Sequence, residues 1–389
     1  KWSVTAREPS RKEGKYKKQK MTTFSFKKLI PFVLVIGAFL VFASPASATV
    51  SGGAVTGNAA ADLVVGTADA DYNVSFTTGV TSTAQTITVT LPSGYTITNG
   101  TIGTASTAIC NSGCTGTANI SVNGINRAVN DVAGSSASRT VTVTLVNPVD
   151  LSVGTTAFRL LLGIQNATTS GATATSSITT NATGETAQTN IAGVTLTPAT
   201  ATVLVFTTQP SASVSGVSLT QPVVTARDTF GNTDTNFTET ITVTEASAGT
   251  LSNNTEAAVA GVANFATGSS AIYTATADGE SFTLTADDDA GVGTNLATVD
   301  SNATVSDVVA TQIIVFTQPA AIVAGVSMTQ PVIRYVNAGS ILDTVARTDV
   351  VTATENGAGS LAGTVAVTAT AGVATYTNLI YTALADGEA

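Results

Sequence analysis

The sequence predicts an all-β protein built as tandem antiparallel β-sandwiches, and three observations carry that expectation. Only 11% of the 389 residues are charged and 5% aromatic, while Thr, Ser, Ala, Val and Gly supply most of the rest. That mixture suits half-buried pleated surfaces and tight turns. Short segments alternate apolar and polar residues, with turn signals between them. Finally, one stretch occurs twice: Val205-Phe206-Thr-Thr-Gln-Pro210 followed by Gly216-Val-Ser-Leu-Thr-Gln-Pro222, then Val315-Phe316-Thr-Gln-Pro319 followed by Gly325-Val-Ser-Met-Thr-Gln-Pro331. Gly216 to Gly325 is a step of 109 residues, and Glu245 to Glu355 (110), Gly261 to Gly372 (111) and Tyr273 to Tyr381 (108) keep nearly the same step. A unit of that length is one whole domain copied in tandem.

The N-terminus holds the lysines and the only Trp. Met21 opens a stretch with Lys27-Lys28, an apolar run from Leu29 to Ala43 and the small-residue exit Ala46-Ser47-Ala48. This is the three-part pattern of a secretory signal peptide, 21–48. The apolar run is shorter than the roughly 20 residues that span a bilayer, so no transmembrane span is expected in the mature chain. Residues 1–20, basic and beginning with Lys, read as an upstream extension outside the fold.

Beyond Lys28 the chain has six arginines against 23 carboxylates, and neither Lys nor His. Without a cationic patch to displace phosphate counterions, it excludes nucleic acid and anionic lipid as partners.

A first module, 49–198, lacks the landmarks of the repeat. Tyr72–Phe76, Ile87–Leu91 and Val141–Leu145 alternate as strands, and Pro92-Ser-Gly94, Asn99-Gly100, Asn123-Gly124 and Asn147-Pro148 read as turns. Phe158–Ile164 alternates less, as expected of a strand buried on both faces or broken by a bulge at Gly163. Cys110-Asn-Ser-Gly-Cys114 is an isolated, closely spaced pair in an exported chain, which points to a disulfide closing a small loop. Chain entropy makes so short a ring worth about 2 kcal/mol.

Thr195–Val203, with Pro198, connects into repeat one, 199–308. Seven strands are expected there: 203–207, 219–227, 239–245, 250–258, 261–266, 271–276 and 281–286. Repeat two, 309–389, matches the first six and stops at Asp386-Gly-Glu388-Ala389, where repeat one continues into Ser281–Ala286. The last repeat is therefore expected to be truncated and the sequence to be a piece of a longer protein. A sandwich without its closing strand exposes an unpaired edge and part of its core.

The order Phe-Thr-(Thr)-Gln-Pro, Gly-Val-x-x-Thr-Gln-Pro, Asp228-Thr-Phe-Gly-Asn232, Gly249-Thr-Leu-Ser and Gly261-Val-Ala-Asn-Phe265 resembles the bacterial immunoglobulin-like repeats of large cell-surface and adhesin proteins, the invasin/intimin kind. The resemblance covers about 199–389. It implies immunoglobulin-like sandwiches projecting from a cell envelope, and it implies no particular receptor.

Little in the residues suggests catalysis. A Ser or Thr nucleophile needs a base, and beyond Lys28 there is neither His nor Lys. Asp287-Asp288-Asp289 is the densest acidic cluster, expected as a solvated strand-end turn with a weak Ca²⁺ contact as the other reading. No other cofactor is expected. Asp228-Thr-Phe-Gly-Asn232 also invites a calcium reading, but repeat two reads Asn337-Ala-Gly-Ser340 there and drops the acid, so a β-turn is expected. Tyr273 and Tyr381 recur in Tyr-Thr-Ala-x-Ala-Asp-Gly-Glu and are expected to tie down a sandwich corner. Asn73, Asn99, Asn119, Asn166, Asn181, Asn236, Asn253 and Asn302 each open an Asn-x-Ser/Thr sequon.

The sequence thus reads as a secreted, non-enzymatic cell-surface protein with structural or adhesive work to do. The repeats are its stalk and 49–198 its contact module, with a cell-surface protein, a glycan or the envelope itself as partner. The alternatives are an ancillary region of a secreted polysaccharide-processing enzyme and an envelope-lattice (S-layer-like) subunit.

Overall fold

The alternation at Ile87–Leu91 and Val141–Leu145 forms the centre of the first sandwich. A computed structural model describes residues 48–389 except 80, 153, 221, 268–269, 289–292, 294, 321–322, 346–347 and 387–389. The extension 1–20, the signal peptide up to residue 47, Asp289 and Glu388 lie outside the described residues. Apart from short helical turns at Ala60–Leu63 and Ala105–Ala108, the described elements are strands, and the fold is all-β.

In the first module β1 (Ser51–Gly57), β2 (Tyr72–Thr77), β3 (Thr83–Thr90), β4 (Asn119–Val122), β5 (Ile125–Ser135), β6 (Thr140–Asp150), β7 (Thr156–Leu160) and β8 (Ser176–Thr180) pair in the order β8-β3-β6-β5-β4-β7-β2-β1. All of these pairings are antiparallel. The long β5 joins the two layers, because 125–128 pair with β4 and 129–135 with β6. Ile87, Val89, Val141, Val143 and Leu145 point inward and are buried in one core with Tyr72, Phe76 and Phe158. Asn123 and Gly124 both have positive φ (47° and 77°), which a two-residue hairpin between β4 and β5 requires to match strand twist.

One expectation fails here for an identifiable reason, and one of two alternatives is decided. Asn147-Pro148 is not a turn. It lies within β6 at a break in register between Thr144 and Val149, where Pro costs no ladder hydrogen bond. Phe158–Ile164 is not one strand buried on both faces; of the two readings the break near Gly163 holds, as a turn rather than a bulge. β7 ends at Leu160, Gly163 turns the chain at φ +80°, and Ile164 pairs with Ile97.

Repeat one contains β9 (Val203–Thr208), β10 (Val223–Arg227), β11 (Thr240–Glu245), β12 (Thr255–Ala257), β13 (Val262–Asn264), β14 (Glu280–Phe282), β15 (Leu284–Asp288) and β16 (Thr304–Asp307). One sheet runs β9-β10-β13, a second runs β12-β11-β15 and on to Val299–Asp300, and β14 pairs with β16. The expected strand 250–258 is split by Asn253 in the left-handed region (φ 52°). Thr250–Ser252 then pairs with Ile272–Thr274, while β12 pairs with β11. Strands within 299–307 went unrecognised because their short runs lack a clear alternation. Leu204, Phe206, Ile241, Val243, Phe282, Leu284 and Ala286 share the core.

Repeat two repeats this plan in part. β17 (Gln312–Thr317), β18 (Val332–Val336) and β21 (Val373–Thr375) form the sheet β17-β18-β21, and β19 (Val350–Thr352) pairs with β20 (Ala366–Thr368). Among the described residues nothing corresponds to β14, β15 or β16. The Phe of the copied stretch is not placed alike in the two strands. Phe206 pairs with Val224 and is 6% exposed, whereas Val315 takes that place opposite Ile333 and Phe316 falls at the register break, 54% exposed. The Arg334 guanidinium lies 3.3 Å above its ring, where Thr207 and Thr225 share a hydrogen bond in repeat one. Phe206→Ala should therefore cost about 3–5 kcal/mol, whereas Phe316→Ala should cost under about 1 kcal/mol. Urea unfolding of the two variants, followed by circular dichroism, measures the contrast.

Candidate functional site: the joints between modules

The recurring Asp228 turn meets the connector that precedes its own module. Gly231 N–H donates to the Asp228 carbonyl at 3.0 Å, closing the expected β-turn. The Asp228 carboxylate accepts from the amides of Phe230 and Asn232, each at 2.9 Å, and from the Ala199 amide of the connector at 3.1 Å. Two residues further along the connector, the Ala201 amide donates to Asp234 at 2.9 Å. Both carboxyl residues are buried. The turn also reaches the first module: Asn232 Nδ2 donates to the Thr168 carbonyl at 2.8 Å, and Ser170 N–H donates to Asn232 Oδ1 at 3.0 Å. Phe230 packs over Gly66.

The second joint uses the same plan with a chemical exchange. Ala310 N–H donates to Asp343 at 2.9 Å, as Ala201 does to Asp234. Asn337 keeps the turn, accepting from Ile341 N–H at 3.0 Å, but it lacks the acid that held the connector at Asp228. That duty passes to Asp278 of the preceding module. Asp278 accepts from the Val308 amide at 2.7 Å and from Thr344 through its amide (2.7 Å) and hydroxyl (2.6 Å). At the tip of the turn Ile341 replaces Asn232 and packs against the repeat-one core. A polar clamp at the first joint has become an apolar plug at the second.

Burial pushes the Asp228 carboxyl up, but hydrogen bonds from the Asn232 side chain and amide and from the Ala199 and Phe230 amides outweigh it and hold the group below its ordinary value. Asp278 behaves alike: desolvation raises it, and donation from Thr344, Val308 and Gly279 lowers it further. Charge-assisted acceptance of this kind is about twice as strong as a neutral hydrogen bond.

The residues singled out from the sequence fall elsewhere. Asp287 and Asp288 are part of β15 itself rather than of a turn after it, and Asp289 lies outside the described residues. Strand alternation separates the first two. Asp288 is buried and accepts from Leu296 N–H at 3.1 Å, while Asp287 is paired with Thr242. They border an open depression of about 360 Å³ with Thr240, Thr242, Thr244 and Thr285. Among the described residues no group of three or more acidic, Cys or His side chains gathers for a metal. Cys110 and Cys114 are joined as a disulfide with Cα atoms 4.9 Å apart. The loop they close is filled by Asn111, whose amide bonds Thr115 and Asn126.

Tyr273 is fully buried, stacks on Phe282 at 3.9 Å and shares a 2.6 Å hydrogen bond with Ser247 Oγ. Gly249 and Gly359 are the positions where a side chain would run into the Tyr273 and Tyr381 hydroxyls. The sequons separate by exposure. Asn166 is 2% exposed, accepts from Tyr72 Oη at 2.7 Å and donates to the Asp62 and Val64 carbonyls, so it is closed to modification in the folded chain. The joint role of Asp228, Asn232 and Asp278 was missed. The available signal was the Asn232 to Ile341 change at one matched position beside a Pro-containing connector.

The outward face of β3 and β6 is lined by threonines. Thr86, Thr88 and Thr90 on β3 stand opposite Thr144, Thr142 and Thr140 on β6, with Thr88 and Thr142 hydroxyls 3.3 Å apart. Among the described residues no helix is long and apolar enough to cross a membrane.

No family model matches the chain, and no curated protein matches it. Among solved structures it is similar to a glycosyl hydrolase family 2 member from Bacteroides cellulosilyticus (TM-score 0.22, 8% identity, covering 62% of this chain and 23% of that one). It is also similar to the N-terminal part of the bacterial S-layer protein SbsC (TM-score 0.15, 16% identity, 67% and 44%). A third similar structure is the FN1-FN3 domains of chicken CNTN1 (TM-score 0.25, 7% identity, 84% and 87%). The chain spans less than half the length of the first two. The identities are too low to assign a function and the TM-scores too low to assign a topology.

Asp228→Ala leaves the part-buried amides of Ala199, Phe230 and Asn232 without their acceptor and should cost repeat one about 1–3 kcal/mol in chemical denaturation. Asp278→Ala should loosen the second joint and leave the first intact, read as faster amide exchange at Val308 and Thr344 alone. Because both carboxyls sit below their ordinary value, their contribution is complete above the ordinary carboxylate pKa and is lost as pH falls through the depressed values. Thermal unfolding should accordingly shift to lower temperature as pH drops from about 5 towards 2, and less so in Asp228→Ala.

Proposed function

We propose that this chain is a secreted, non-enzymatic cell-surface protein in which the immunoglobulin-like repeats, of the invasin/intimin kind, act as a stiff stalk and the module 49–198 makes contact. The observation that carries the reading is the joint. At both junctions the connector amides are held by buried or well-bonded carboxylates and the next module's turn is seated on the previous one. A connector fixed at alternate amides transmits orientation, which a spacer needs and a flexible tether lacks. The neutral threonine face of β3 and β6 suits contact with a glycan or an uncharged protein surface, and the excess of carboxylates disfavours anionic partners.

Nitroxide labels at Ala137→Cys and Ala257→Cys test the stalk. A narrow distance distribution that broadens in Asp228→Ala is expected, and a broad distribution in the parent chain would sink the reading. Removing 49–198 should abolish adhesion to the target surface. Assembly of the parent chain into ordered sheets would instead favour the envelope-lattice alternative.

A further inference from the structure

Eight asparagines open an Asn-x-Ser/Thr sequon, and the fold sorts them by module. Five lie in 49–198, three in repeat one and none in repeat two. Thr and Ser are common enough in this chain to supply such triplets by chance, so the triplet alone decides nothing. The surroundings of each carboxamide decide more.

Every sequon of the first module has its side chain engaged. Asn73 lies within β2, which is paired on both sides, and its Oδ1 accepts from the Arg159 guanidinium at 3.1 Å. Asn119 opens β4 and donates through Nδ2 to the Thr117 carbonyl at 2.8 Å. Asn99 Oδ1 accepts from the Ser136 amide at 2.7 Å, and Asn181 Oδ1 from the amides of Gln85 and Thr86 at 2.8 and 2.9 Å. Asn166 is sealed beneath Tyr72.

The three sequons of repeat one are the reverse. Asn236, Asn253 and Asn302 are exposed, and among the described residues their carboxamides make no hydrogen bond. Each stands on a loop that leads into a strand, β11, β12 and β16 in turn. Asn236 is raised on the turn closed by Phe237 N–H on the Asp234 carbonyl at 3.1 Å. Asn253 has φ 52° where the chain crosses between sheets, and Asn302 is held through its own N–H on Gln209 Oε1 at 2.7 Å. The fold thus sets the backbone at these places and leaves the carboxamide to solvent. Thr238, Thr255 and Thr304 supply the hydroxyl two residues on.

We propose that Asn236, Asn253 and Asn302 carry N-linked glycans, which makes repeat one the sugar-bearing segment and leaves 49–198 bare. The donor is an oligosaccharide on a lipid pyrophosphate, and a transferase separate from this chain performs the transfer. Asn Nδ2 bonds to the anomeric carbon of the first sugar as the bond from that carbon to the pyrophosphate oxygen breaks. The lipid pyrophosphate leaves, and the Nδ2 proton passes to a base of the transferase. Attack by an amide nitrogen requires the carboxamide to turn out of conjugation, and an Oδ1 that already accepts from backbone amides, as at Asn99 and Asn181, opposes that turn.

The proposal rests on the exported, cell-surface reading, and glycopeptide mass spectrometry of the full chain taken from the cells that make it tests the two separately. Glycans are expected at 236, 253 and 302 and at none of the other five, with the mass falling to that of the bare polypeptide in N236Q/N253Q/N302Q. A chain recovered from the cell surface with all three asparagines bare overturns the proposal and leaves the surface reading standing. Glycans spread evenly over all eight sequons overturn it as well. A chain retained inside the cell sinks the surface reading instead, and a second arm then decides. Purified folded chain is incubated with a lipid-pyrophosphate oligosaccharide and a single-subunit transferase, chosen because it modifies short peptides carrying each of the eight sequons. Initial transfer at 236, 253 and 302 at least about fivefold faster than at the other five is expected, since those five must first release a hydrogen bond. Equal rates, or no transfer to the folded chain, overturn the proposal.

Discussion

Enclosure of a small-residue core between two complete sheets is the constraint on which the rest of this structure depends. The buried side chains of repeat one are mostly Ala, Val and Leu with a few aromatics, so the sum depends on both layers being present. Hydrophobic burial scales with area removed from water, and an uncovered sheet forfeits that area across its whole face. Phe206 and Phe316 differ in burial because the stretch of repeat two is one residue shorter, which sets Phe316 at the register break where Thr207 stands in repeat one.

The fold class and the module repeat were legible because they rest on signals that survive in one dimension: period-two alternation, turn pairs such as Asn123-Gly124, and a copied stretch with a nearly constant step. What was not legible depends on three-dimensional neighbours. Asn147-Pro148 has the residues of a turn, yet it sits in a strand because a register break leaves the Pro nitrogen unneeded. The apparent strand 250–258 is divided because Asn253 adopts a left-handed conformation that switches the chain between sheets. Asn166 satisfies a sequon and is nonetheless sealed under Tyr72. Asp287 and Asp288 look like one cluster in sequence, and strand geometry sends their side chains to opposite sides.

The joints were the least legible feature, since each is assembled from residues of the connector and of both flanking modules. Ala199 and Asp228, or Asp278 and Thr344, lie far apart in sequence. Comparison of the repeats shows that Asn337 has lost an acid, which argues against a shared metal. It gives no hint that Asp278, from the other side of the connector, takes over the duty. The carboxylates act here as backbone ligands, satisfying amides that no strand pairs, which is the role an N-cap residue has for a helix.

That exchange between Asp228 and Asp278 bears on a hazard general to chains of similar modules. Neighbouring copies can dock on the wrong partner or trade elements while folding, and near-identical repeats invite the error. Here the polar tip at Asn232 fits the backbone of 168–170, and the greasy tip at Ile341 fits a hydrophobic rim. Each junction thus accepts one neighbour and leaves the other poorly satisfied, so the order of the modules is itself encoded in the turn that each presents to the one before.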